Sequence, residues 1–149
     1  MPSTRFRPRI FAGGATITVF PNLHTGGIIL LNTAAGTTVT LPPATGSGAM
    51  IHCVVSVTAT SNQHRIDVTG NDEFVGIIHQ AADGGATANA YEALDTIDND
   101  RIDLNGTTTG GIVGDWLTFV DITTDNWLVS GSVSSTGTEA TPFATGQIT

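Results

Sequence analysis

Short apolar runs separated by turn residues extend along most of this chain. ATITVF (15–20) and TTVTL (37–41) alternate apolar side chains with polar ones, which is the two-residue period of a half-buried strand. Turn clusters such as PPATGSG (42–48) and NGTTTGG (105–111) lie between the runs. The pattern predicts strands at 15–20, 27–32, 37–41, 49–57, 64–69, 73–80, 86–94, 100–104, 115–122 and 126–133.

Short strands at this spacing are typical of an all-β sandwich or barrel. The stretches Val39–Gly70 and Ile102–Gly131 also share an order of strand, Thr-Gly turn cluster, long apolar run and second strand. This similarity predicts two related four-strand halves or hairpin modules packed face to face, unless the two stretches are unrelated hairpins with the same turn pattern. We therefore predict an all-β, jelly-roll-like antiparallel sandwich over 15–133, with an extended N-terminal arm over 1–14. The residues 134–149 are predicted to form an extended C-terminal tail, pinned by Phe143 and Ile148.

The composition supports this fold class. Only 12% of the 149 residues are charged, and the remaining polarity comes largely from Thr, Ser, Asn and Gly. Thr, Val and Ile have stiff side chains that suit a pleated sheet better than a helix. TANAYEALDTI (87–97) is long enough for a short helix, but it has no capping residues, and we interpret it as strand. Cys53 lies within an apolar run and is predicted to be a small buried residue.

Charge is distributed unevenly along the chain. The net charge is −8 and there is no lysine, which argues against a nucleic-acid partner because phosphate binding needs a basic face. Three of the five arginines nevertheless fall in the segment RFRPRIF (5–11), where basic and apolar residues alternate. This segment is either a protein-binding arm or a frayed terminus, and the pattern leaves both open. Its charged and apolar residues are Arg5, Phe6, Arg7, Arg9, Ile10 and Phe11.

The sequence contains no convincing catalytic or metal-binding motif. Asp98, Asp100, Asp103 and Asn105 resemble the start of a calcium loop, but no glutamate follows at the required distance. The four histidines are far apart and lack zinc-ligand spacing. We therefore predict no enzyme activity, no metal and no cofactor. No segment approaches the roughly 18 apolar residues of a membrane span, so we expect a soluble protein without a membrane partner.

The two tryptophans fall in adjacent predicted strands, within DWLTFVDITTDNW (115–127). We predict that Trp127 packs in the core, because aromatic cross-strand pairs stabilise sheets. Trp116 follows a Gly-Asp strand entry near the surface, so a core, interface or ligand-stacking role all remain open for it.

Three segments resemble parts of small virion proteins of tailed bacteriophages, particularly head-decoration (cement) proteins. They are TVTLPPATGSGAMIHCVV (38–55), DRIDLNGTTTGGIVGDWLTFVDI (100–122) and SSTGTEATPFA (134–144). The resemblance implies a compact β protein that sits as a homotrimer on the outer surface of the virion and bridges subunits of the major capsid protein. It also implies that the protein has neither enzyme activity nor a cofactor. By this analogy the capsid contacts are Arg5, Phe6, Arg7, Arg9, Ile10 and Phe11.

Two other functions are compatible with the sequence. One is a phage fibre or lectin-like module that binds carbohydrate through Trp116, Tyr91 and nearby acidic residues. The other is a hydrolase whose site carries no familiar motif.

Overall fold

Two β-sheets pack face to face in the computed structural model, which describes residues 7–93 and 98–146. The large sheet has seven strands in the spatial order β1 (Ile10–Ala12), β3 (Ile28–Leu31), β5 (Met50–Val55), β10 (Trp116–Thr123), β11 (Asn126–Ser134), β7 (Glu73–Ala81) and β8 (Ala88–Glu92). The small sheet has five, in the order β12 (Phe143–Ala144), β9 (Arg101–Leu104), β6 (His64–Asp67), β4 (Thr38–Thr40) and β2 (Thr16–Thr18). A one-turn helix α1 (Pro21–His24) and a 3₁₀ turn (Asp83–Gly85) lie between strands.

The first six strands form a coil that alternates between the sheets. β1, β3 and β5 are parallel neighbours in the large sheet, whereas β2, β4 and β6 are parallel neighbours in the small sheet. Each pair of consecutive strands is therefore one turn of a short β-solenoid, and each turn stacks on the previous one.

The remaining strands close this coil. β10 pairs antiparallel with β5 and forms a hairpin with β11, while β7 runs parallel to β11 and antiparallel to β8. In the small sheet, β9 pairs antiparallel with β6 and with β12. Parallel and antiparallel pairs are thus equally represented in the described chain.

The predicted all-β sandwich is confirmed, and each predicted strand is present. The strand pairing is mixed, which corrects the antiparallel, jelly-roll-like pairing expected from the sequence. The expected pair of hairpin modules is also corrected, because β5 and β6 lie in different sheets while β10 and β11 form a true hairpin. Short turns and inward-outward alternation are the same in both arrangements, so the pattern alone does not distinguish a hairpin from a sheet-to-sheet crossover.

The predicted arm and tail both contribute strands. Residues Ile10–Ala12 of the arm form the edge strand β1, and Phe143–Ala144 of the tail form β12. Phe143 is buried, as predicted. The residues 1–6, Leu94 at the end of the predicted strand 86–94, and Ile148 lie outside the described residues.

The core lies between the sheets and is filled by the inward residues of both. Trp127 is fully buried, and its indole N–H donates to the carbonyl oxygen of Pro42 at 3.1 Å. Phe74 lies opposite Trp127 in the strand register and packs against Phe119, with the two ring planes tilted by 47° and their centroids 5.6 Å apart. Cys53 is buried as predicted, and this burial raises the pKa of its thiol to about 12. The thiol therefore stays protonated and unreactive at neutral pH.

Candidate association surface

The outward face of the large sheet is apolar and exposed. Large hydrophobic side chains with more than a third of their surface exposed occur on five of its strands. Those side chains are Ile10, Met50, Ile77, Trp116, Ile122 and Leu128. They lie outward because the alternate residues of each strand, such as Ile51 and Leu117, fill the core. Exposed apolar side chains clustered on one face mark interaction surfaces, whereas isolated ones are ordinary.

Strand register joins these side chains into continuous rows. Val120 lies opposite Met50 on one side and opposite Leu128 on the other, and Leu128 lies opposite Val75. The row is therefore apolar across four adjacent strands. Met50 is 49% exposed and Leu128 is 38% exposed, so solvent reaches the row.

A second row crosses the same face. It contains Ile10, Ile28, His52, Thr118, Ser130 and Ile77. His52 Nδ1 lies 2.7 Å from Thr118 Oγ1, and the imidazole ring lies 5.8 Å from the ring of Trp116. Burial lowers the pKa of His52, which keeps its imidazole neutral at physiological pH. The centre of the face is thus uncharged.

The outward face of the small sheet has the opposite character. Its outward positions are Thr16, Thr18, Thr38, Thr40, Arg65, Asp67, Arg101 and Asp103, and among these only Asp67 is buried. Asp103 accepts hydrogen bonds from Arg65 Nε at 3.1 Å and from Arg101 Nε at 3.0 Å. This face is suited to water, so the apolar character of the large sheet is a property of that sheet and not of the whole surface.

The described part of the predicted arm, residues 7–14, lies at the β1 edge of this apolar face. Arg7 and Arg9 are exposed, and the Arg9 guanidinium lies 5.1 Å from the centre of the Phe11 ring. Phe11 packs edge-on against His24 at 4.5 Å, which anchors β1 to the body. Ile10 lies outward beside Ile28.

The six predicted contact residues therefore differ in their surroundings. Arg7, Arg9 and Ile10 are accessible, and Phe11 is an anchor. Arg5 and Phe6 lie outside the described residues. An apolar depression of about 200 Å³ connects the arm to the apolar face, and its lining is Pro8, Gly26, Gly27, Ile28, Met50 and His52.

The aromatic residues proposed for carbohydrate binding do not meet. Trp116 is 40% exposed on the outward face of the large sheet. Tyr91 packs against the core. The preceding residue on its strand, Ala90, points outward and lies in the same row as His79 and Trp116. Tyr91 instead lines a separate cleft of about 640 Å³ with Glu92, Asn99, Arg101 and Phe143.

Three of the residues considered as metal ligands, Asn105, His24 and His64, have structural partners. Asn105 Oδ1 accepts backbone hydrogen bonds from Thr107, Thr108 and Thr109, which closes the glycine-rich turn that resembled a calcium loop. His24 Nδ1 accepts a hydrogen bond from the Phe20 N–H, and His64 Nδ1 accepts one from the Thr37 N–H. Within residues 7–93 and 98–146, no three His, Cys, Asp or Glu side chains converge as a metal site.

The apolar face was not predicted from the sequence, although a signal for it exists. MIHCVV, EFVGII and WLTFV are apolar at nearly every position, whereas a strand with one wet face alternates. Such runs indicate strands covered on both faces. In the described chain the large sheet is covered on one face only, which leaves the second face without an intramolecular partner.

Comparison of this chain with protein-family models, with curated proteins and with solved structures finds no match. In the described part of the chain, no helix is long and apolar enough to cross a membrane.

Proposed function

We propose that this chain is a structural virion protein that decorates a bacteriophage capsid. It acts as a homotrimer on the outer capsid surface, bridges subunits of the major capsid protein and performs no catalysis. The observation that carries this proposal is the exposed apolar face of the large sheet with two exposed arginines at its β1 edge, in a chain of net charge −8. An acidic body that carries apolar and basic attachment points fits a protein that assembles with other proteins.

The arm supplies the capsid attachment in this proposal. Arg7 and Arg9 are accessible, and Phe11 fixes β1, the strand that directly follows them, so the charges project from a defined position. Arg5, Phe6 and Ile10 extend the same contact. Such arginines bind carboxylates on the partner through charge-assisted hydrogen bonds, which salt weakens when they are exposed.

Co-sedimentation with undecorated phage heads tests this function. We expect saturable binding that weakens as salt is raised, and we expect Arg7→Gln to reduce both the affinity and its salt dependence. Arg65→Gln is the matched control, because it also removes one positive charge, from the opposite, polar face. Failure of the wild-type protein to sediment with heads, or equal binding by the Arg7→Gln variant, would contradict the proposal.

A second candidate function rests on the cleft that Tyr91 lines. Tyr91 and Phe143 supply aromatic surface there, and Glu92, Asn99 and Arg101 supply polar groups, which are the ingredients of a carbohydrate site. Binding of soluble glycans, measured by calorimetry and abolished by Tyr91→Ala but not by Trp116→Ala, would favour this function over capsid decoration.

A further inference from the structure

We infer that the outward face of the large sheet is covered by further copies of this same chain. This inference rests on the homotrimer of the proposed function and adds the surface that holds it together. The relevant surface is the pair of rows that cross β5, β10 and β11 and continue onto β7.

The charge distribution favours a second copy as the occupant. The chain carries 13 acidic residues, so two copies repel each other across most of their surfaces. β5, β10 and β11 lie wholly within the described residues, and their only carboxylate, Asp121, points inward and is buried. Two copies can therefore meet on these three central strands without opposing carboxylates, and the neutral His52 adds no charge.

The two edges of the face carry opposite charges. Arg7 and Arg9 lie at the β1 edge, whereas Glu73 and Glu92 lie on β7 and β8 at the other edge. In a ring of copies, the β1 half of one face contacts the β8 half of the next, which places Arg9 beside Glu92 at the rim of the contact and leaves Arg7 for the capsid. The central strand of the sheet, β10, then lies nearest the symmetry axis, with Trp116 and Val120 directed towards it.

The size of the face is adequate for a stable contact. Seven strands spaced about 4.8 Å apart make it about 29 Å wide, and the central strands make it about 20–30 Å tall. Its area is therefore on the order of 800 Å², which a ring divides between two neighbours, so each copy buries in the whole ring about as much surface as one partner buries in a standard two-chain interface. The apolar row of Met50, Val120, Leu128 and Val75, together with Trp116, also matches the aromatic and aliphatic cores of such interfaces.

The test is the solution mass of the full chain by light scattering and analytical ultracentrifugation. We expect an oligomer, and we expect Leu128→Lys and Met50→Lys each to raise its dissociation constant at least about tenfold, because either one buries a charge in the interface. Thr18→Lys is the control, since it places the same charge on an exposed position of the small sheet. Circular dichroism and thermal melting confirm that each variant is folded; both interface positions are exposed in the single chain, so folding is expected.

A charge exchange tests the pairing of the edges. We expect Arg9→Glu to raise the dissociation constant of the oligomer. If the two edges meet between copies, adding Glu92→Arg to the same chain restores the wild-type dissociation constant. A monomeric wild-type protein, or folded Lys variants that remain oligomeric, would overturn the inference. A wild-type monomer whose binding to heads is lost on Leu128→Lys would instead assign the face to the capsid. An oligomer that ignores heads leaves the self-association surface intact and overturns only the proposed function.

Discussion

The carboxylate of Asp121 accepts a 2.7 Å hydrogen bond from the backbone N–H of Gly46, although 75 residues separate them. The N–H groups of Thr45 and Ser47 and the Ser47 hydroxyl also donate to this carboxylate. Asp121 lies in β10, so it fastens the loop that connects β4 with β5 to the far end of the central strand. Burial desolvates the carboxylate and acts to raise its pKa, but these hydrogen bonds outweigh burial and lower the pKa.

We expect Asp121→Asn to destabilise the fold by about 2–3 kcal/mol. The amide is uncharged, and its NH₂ group replaces one of the two carboxylate oxygens, so the N–H and O–H groups that donate to that oxygen lose their acceptor. Urea denaturation at pH 7 measures this change. In the wild type, the charged Asp121 carboxylate stabilises the fold above the pKa that this group has in the unfolded chain. This stabilisation is lost as the pH falls through the lower pKa of Asp121 in the folded protein. The difference in free energy of unfolding between the wild type and Asp121→Asn therefore narrows in acid.

Asp125→Asn is the matched control for that substitution. Asp125 is exposed and has a φ of 65°, a conformation that asparagine adopts readily. We expect a change of less than about 0.5 kcal/mol. A comparable loss in both variants would mean that the hydrogen bonds to the loop are not the cause.

Alanine substitutions at Gly106 and Gly48 separate the destabilising effect of a steric clash from that of an unfavourable backbone conformation. Both have positive φ, at 81° and 75°. A Cβ at Gly106 would collide with the carbonyl oxygen of Ala59, whereas nothing lies within 4 Å of a Cβ at Gly48. We expect Gly48→Ala to cost about 1–2 kcal/mol for the left-handed conformation alone. Gly106→Ala is expected to cost at least about 3 kcal/mol, because the backbone must also move. Equal thermal melting temperatures for the two variants would contradict this assignment.

Asp67 gives the protein a pH dependence of the opposite sign to that of Asp121. Its carboxyl is buried, which raises its pKa to about 6, and the positive charges of Arg65 and Arg101 only partly offset this. Between pH 4 and pH 6 the folded protein holds a proton on Asp67 that the unfolded chain has released. The contribution of Asp67 to the free energy of unfolding therefore falls as the pH rises from 4 to 6.

We expect Asp67→Asn to be more stable than the wild type above pH 6, by up to about 2 kcal/mol, and to lose this advantage near pH 4. Urea denaturation of both proteins at pH 4, 5, 6 and 7 measures the difference. A difference that is constant with pH would show that Asp67 titrates normally in the folded state.

The strands and the core were predictable because alternation encodes which side chains point inward. Trp127 and Cys53 were assigned correctly for this reason. Strand partners were not predictable, since the turn between β5 and β6 has the same polar character whether it closes a hairpin or crosses to the other sheet. The hydrogen bond between Asp121 and Gly46 was also not predicted, because a contact between residues 75 positions apart leaves no local sequence pattern.

The sequence predicted one part of the candidate site, the arm, but not the other part, the apolar face. The alternation of arginine with apolar residues in 5–11 identified the arm, but not that Phe11 would pack against His24 while Ile10 remained outside. The apolar face depends on which strands are adjacent. Met50, Val120 and Leu128 form a row only after β10 has been placed between β5 and β11, an arrangement that the order of the chain does not specify.

The two tryptophans provide the last prediction, because each reports on a different environment. Trp127 is 0% exposed in the core, whereas Trp116 is 40% exposed on the apolar face of a single chain. The variant Trp127→Phe leaves Trp116 as the sole indole. We expect its fluorescence to shift to longer wavelength when the protein is diluted below the dissociation constant of the oligomer, since dissociation exposes Trp116 to water.

The variant Trp116→Phe is the control, with Trp127 as its only indole. Its emission should stay at short wavelength throughout the same dilution, because the Trp127 side chain is held inside each chain by its hydrogen bond to Pro42. Emission from Trp116 that is independent of concentration, in a protein shown by ultracentrifugation to dissociate, would place Trp116 outside the interface. A shift in the Trp127 signal would instead mean that dilution unfolds the chain and that folding depends on assembly.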